Sequence, residues 1–121
     1  MGKNLIQQAR GKGGPNYRAR SFAYAGDARH PRLSQELQMG VITDFVKCPG
    51  HLAPLAEVKY PSGMVLVQAA EGLKVGDIVT AGPGGEIKEG NTLPLKDIPD
   101  GTLIFNVESR QGDGGRFCRT T

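Results

Sequence analysis

The sequence predicts an all-β chain, one small barrel preceded by an extended basic arm, and three observations carry that expectation. Glycine (18) and proline (8) are abundant among 121 residues, a composition that favours short strands and many turns over long helices. Between 41 and 69, apolar runs of strand length alternate with Pro/Gly turns, the pattern of a β-meander. From Met1 to Leu33 neither a 3.6- nor a 2-residue apolar period is sustained, and Gly11, Gly13, Gly14 and Pro15 interrupt any helix there. At this length one domain with a small core is the natural limit.

Residues 1–39 read as the arm. Residues 1–40 hold seven Lys or Arg (Lys3, Arg10, Lys12, Arg18, Arg20, Arg29, Arg32) against Asp27 and Glu36, a balance of +5. Residues 41–109 carry −4 and residues 110–121 carry +2, within a total of +3. A mildly acidic body with basic ends directs anion binding to the ends. In the arm, Tyr17, Phe22, Tyr24 and His30 interleave with Arg18, Arg20, Arg29 and Arg32. Rings stack on unpaired bases while guanidinium groups meet phosphates, a pairing suited to RNA. The same composition also suits a solvated leader. With little apolar surface to offset its ordering entropy, the arm is expected to stay off the barrel in the free chain. His30 has no partner ligands at metal spacing and reads as a stacking or hydrogen-bonding residue.

Ser34 to Gln38 suits a short helical turn, and the first β segment follows at 41–48 (VITDFVKC). Pro49-Gly50 breaks it, and 51–60 (HLAPLAEVKY) returns as a second strand with Pro54 at its irregular start. After the Pro61-Ser62-Gly63 turn, 64–69 (MVLVQA) reads as a third strand buried on much of both faces. Polar turns then precede 78–80 (IVT) and 91–93 (NTL). In the last third, Leu103, Phe105 and Val107 alternate with Ile104, Asn106 and Glu108, predicting a half-buried strand that starts near Thr102 after Pro99-Asp100-Gly101. The barrel is thereby placed at 40–109.

Beyond it, Gly112, Gly114 and Gly115 surround Asp113, with Arg110, Arg116 and Arg119 at the flanks. Free N–H groups beside guanidinium forks suit phosphate oxygens. A glycine hairpin with solvated arginines fits the same residues.

Several classes are disfavoured. Cys48 and Cys118 lie far apart without a C-x-x-C pair, so neither a zinc site nor a disulfide framework is indicated. No signal-peptide pattern or bilayer-length apolar run occurs, which reads as a soluble cytoplasmic chain. Cys48 and His51 lack an orienting acid or oxyanion site, Asp97 and Asp100 sit in turn chemistry, and Gly82-Pro83-Gly84-Gly85 is no phosphate loop. No catalysis, cofactor or metal is expected. The paired turns around 75–80 and 88–93 resemble hairpins of biotinyl or lipoyl carrier domains. That alternative lacks its modifiable lysine, since no Met-Lys or Asp-Lys pair occurs.

Taken in order, Q-x-R-G-K-G at 8–13, Y-R-A at 17–19, HLAPLAEV at 51–58, AAEG at 69–72, GNTLPL at 90–95, NVE at 106–108 and GDGGRF at 112–117 resemble the large-subunit ribosomal protein L-two family, nearest its archaeal and eukaryotic branch. The resemblance implies a five-stranded barrel of the oligonucleotide-binding (OB) type and a structural role in large-subunit rRNA folding and assembly near the peptidyl-transferase region. It further implies large-subunit rRNA and neighbouring ribosomal proteins as partners, no membrane or small-molecule substrate, and location on the cytoplasmic ribosome. Carried over by motif, RNA contacts are expected from Arg10, Lys12, Tyr17, Arg18, Arg20 and Phe22, and from Gly112, Gly114, Gly115, Arg116 and Arg119. Lys47 and His51 are lesser candidates. The family's second, SH3-like barrel is absent, so 110–121 reads as interdomain chain and the whole as a fragment or half-protein. Gln111 stands where the family often has proline.

Overall fold

The computed structural model describes residues 2, 3, 5, 7 and 10–120. Met1, Asn4, Ile6, Gln8, Ala9 and Thr121, included in the arm and tail assignments, lie outside the described residues. Four strands, β1 (Gln38–Val46), β2 (Leu55–Tyr60), β3 (Gly63–Gln68) and β4 (Ile78–Ala81), form one antiparallel sheet in the order β3-β2-β1-β4. The strands follow the apolar, β-branched runs of the sequence. Pro61 and Ser62 close the β2–β3 hairpin, with Tyr60 opposite Gly63. A bulge at Thr43 shifts the β1–β2 register between Ile42 and Asp44.

One face of the sheet carries the main core: Ile42, Ala56, Val58, Tyr60, Val79 and Ala81, packed by Phe45, Val65, Val67, Ala69 and Leu73. Burial alone raises the Tyr60 phenol to about 12. The other face is covered at one end only, where Ala28 of the arm joins Cys48, Leu55 and Leu66. Both edges of the sheet are occupied as well. Arg29 N–H donates to the Leu66 carbonyl on β3 (2.9 Å), while Asn91 Oδ1 accepts Thr80 N–H (2.9 Å) and Thr92 bridges Ala81 on β4. Covered edges are protected from pairing with other chains.

The all-β expectation holds, with four strands among the described residues in a sheet that is not closed. Three other expectations are corrected. The stretch expected as a strand from Thr102 holds only an isolated bridge, Val107 to Phe117. Its alternation has nothing to bury against: Leu103 is 98% exposed, while Asn106, assigned to the polar face, is 1% exposed. The φ of +52° at Asn106 turns the chain out of the extended line. The arm does not stay off the body along its whole length. Ala28 and Pro31 are buried, and Arg29 and His30 make backbone hydrogen bonds. At 35–36 the chain bends, in place of the helical turn expected over 34–38, and Gln38 already belongs to β1.

Candidate nucleic-acid interface

The arm has two parts of different character. Its outer part, from Arg10 to Tyr24, contains three short 3-10 turns with no buried residue in the first or third. Arg10 lies over the Tyr17 ring at 5.1 Å, a cation–π contact that pre-forms an alternation of ring and charge. Phe22 is 90% exposed. Lys12, Arg18 and Arg20 are exposed too. The Tyr24 ring rests on Gly50, where a Cβ would lie 3.0 Å from it.

The inner part, 25–32, crosses the glycine loop. His30 N–H donates to the Gly114 carbonyl (3.0 Å), and His30 Nε2 bonds to the Asn106 carbonyl oxygen. A carbonyl only accepts, so Nε2 carries the proton. The His30 ring is therefore engaged inside the chain. Arg29 pairs with Asp27 at 3.1 Å, and Arg32 is exposed.

The loop itself is held by its own acids. Glu108 accepts N–H bonds from Gly112 (3.0 Å) and Gly114 (3.1 Å). Asp113 accepts those of Ser109 (3.0 Å), Arg110 (2.9 Å) and Gly115 (3.0 Å). These donors, first that of Arg110, hold the Asp113 carboxyl below its ordinary value against a smaller opposing effect of burial, with Arg116 3.8 Å away. The backbone N–H groups that the glycines offer to phosphate in the sequence are thus already filled. Gly114 and Gly115 are buried, and a Cβ on Gly115 would land on the Asn106 carboxamide. Close backbone approach at Gly115 is to Asn106.

Arg119 is anchored at both ends. Its guanidinium donates to the Ala28 carbonyl (2.7 Å), and its own carbonyl accepts from Gln68 Nε2 (2.9 Å). Among the described residues its Nε is buried without a hydrogen-bond partner. The His51 side chain, ahead of the opposing effect of burial, draws the Cys48 thiol down to about 7.

Residues remote in sequence converge here. Arg29, His51, Arg116 and Arg119 line a cleft of about 320 Å³ between inner arm and glycine loop. Arg29 and Arg32 line a second, of about 260 Å³, with Gly112 and Gly114. Arg10, Lys12, Tyr17, Arg18, Arg20, Phe22, Tyr24, Lys47 and Arg110 lie outside both linings. Sequence reasoning missed Glu108, Asn106 and Asp27. An acid four and six residues ahead of two glycines, in Glu108–Gly112–Gly114, is the signal that could have found the first. Among the described residues no cluster of three or more His, Cys, Asp or Glu could hold a metal, and no helix is long and apolar enough to cross a membrane.

No family model matches the chain. Its whole length is 44% identical over 122 residues to large ribosomal subunit protein uL2 of Methanothrix thermoacetophila, and 46% over 123 residues to that of Methanocella arvoryzae. Against uL2 of Methanopyrus kandleri, 98% of the chain matches at 45% identity. The chain spans about half the length of the curated relatives it matches, 51–52% of each.

Proposed function

From its kinship with the N-terminal half of the large ribosomal subunit protein uL2 family, we propose that this chain is a structural component of the large ribosomal subunit, acting by binding its rRNA. Identity along the entire chain is the observation that carries this reading. The basic outer arm supports it, because exposed arginines interleaved with exposed rings form a surface for phosphates and unpaired bases. The contacts proposed are those of the two basic ends, with guanidinium groups in place of loop N–H donors at the second. Binding is the mechanism, with no catalytic step, and the cytoplasmic ribosome is the proposed location.

The finer architecture we infer is a five-stranded barrel of the OB type over 40–109, with 1–39 as arm and 110–121 as linking chain. The strand order supports it, since the chain leaves β3 and returns to pair β4 with β1, an arrangement one strand short of a closed barrel. The carrier alternative finds no support in the relatives.

The test is filter binding of the chain to a large-subunit rRNA fragment across a salt series. Each phosphate neutralised contributes roughly 0.7 to 0.9 to the slope of log K against log salt. Replacing Arg10, Lys12, Arg18 and Arg20 together with alanine is expected to flatten that slope by about three units. An unchanged slope would remove the outer arm from the interface.

A further inference from the structure

We propose that the cleft between the inner arm and the glycine loop is a binding site for a single phosphate group, gripped by Arg29, Arg116 and Arg119 beside His51. The inference deepens the rRNA reading and rests on it where the phosphate belongs to RNA.

Three independent features point to an anionic oxygen ligand. The cleft, about 320 Å³, has room for about ten waters, enough for a phosphate and part of its hydration. One nitrogen of its lining residues, Arg119 Nε, is buried with no partner among the described residues. A buried guanidinium N–H without an acceptor is costly, and a ligand oxygen relieves that cost. The Arg119 guanidinium is also placed in advance. Ala28 O fixes one amine at 2.7 Å, and Gln68 holds the Arg119 backbone at 2.9 Å, so little side-chain freedom remains to be lost on binding.

Charge agrees with this placement. Three guanidinium groups line the cleft together with two carboxylates, Asp27 and Asp113. Asp27 is paired with Arg29, and Asp113 is occupied by three backbone N–H groups with Arg116 nearby. Arg119 pairs with no carboxylate among the described residues. Since Glu108 and Asp113 fill the N–H groups of the loop, the donors left for phosphate are side chains, for which guanidinium forks are well shaped.

The ligand is either an RNA phosphodiester or a free phosphate, and two titrations separate them. Side-chain ¹⁵N spectra of the full chain are followed with inorganic phosphate and, separately, with the rRNA fragment. The Arg119 Nε–H and the His51 ring are expected to shift saturably with inorganic phosphate, while Arg18 and Arg20 stay in place. Arg116→Gln and Arg29→Gln, both at exposed positions that spare the fold, are each expected to weaken that affinity by about tenfold. Unsaturable shifts shared by all arginines, or affinities unchanged in both variants, overturn the site. A phosphate-silent cleft in a chain that still binds the rRNA fragment refutes the site and leaves the ribosomal reading standing. Saturation by phosphate in a chain that does not bind the fragment supports the site, assigns it to a free phosphate and refutes that reading.

Discussion

At the scale of single residues, the glycine loop is governed by acids and by one asparagine. Gly115 has φ +102°, and its Cβ position is taken by the Asn106 carboxamide. Gly115→Ala therefore combines backbone strain with a clash, and is expected to destabilise the chain by about 1–3 kcal/mol. Urea unfolding would show the loss as a lower midpoint, even without RNA. A midpoint equal to wild type would mean that the Asn106 contact carries no weight. Asp113 adds a pH dependence. Its folded carboxyl titrates below the ordinary 3.8, so its contribution is fully present above that value and is withdrawn as pH falls through the folded pKa. The amides of Ser109, Arg110 and Gly115 are expected to lose exchange protection together as pH falls through that folded pKa, below the ordinary 3.8. In Asp113→Asn the same amides should show no such acid step.

At the scale of elements, β1, β2 and β3 were legible because each apolar run lies within hairpin reach of the next, so that local alternation and turn chemistry coincide with the pairing formed, whereas β4 was legible as a strand but its return to pair with β1 was not. The register shift at Thr43 was not legible, since no proline or glycine marks it. The stretch after Thr102 misled for a physical reason. Alternation reports a preference to be half-buried and cannot say whether a neighbouring strand exists. Two substitutions of the same type measure the difference. Leu55→Ala removes a side chain with no exposure and is expected to cost about 2–5 kcal/mol. Leu103→Ala, at 98% exposure, is expected to change stability by no more than about 0.5 kcal/mol. A comparable loss at both positions, read from thermal or denaturant midpoints, would restore the expected strand.

At the scale of the whole molecule, composition showed that the ends are basic but not that one end folds onto the other. Ala28, Arg29 and His30 sit in a stretch with no apolar period, and they are held respectively by a small apolar cluster formed with Cys48, Leu55 and Leu66, by a β3 carbonyl and by a loop carbonyl. A few long-range contacts of this kind leave no periodic trace. The arm therefore divides at about Tyr24 into an outer part free for a partner and an inner part that belongs to the fold. Hydrogen exchange on the free chain is expected to protect the amides of Arg29 and His30, whose acceptors are Leu66 O and Gly114 O, while Arg18 to Phe22 exchange rapidly. Addition of the rRNA fragment should then slow exchange in the outer arm and leave the inner amides nearly unchanged, because only the outer part has ordering entropy still to lose. His30→Ala separates the two roles further. It removes the bond to Asn106 O and is expected to lower protection at Gly114 and Gly115 while the salt slope for RNA keeps its value. Rapid exchange at Arg29 and His30 in the wild-type chain would instead show that the inner arm docks only when RNA is bound, and that both clefts form with it.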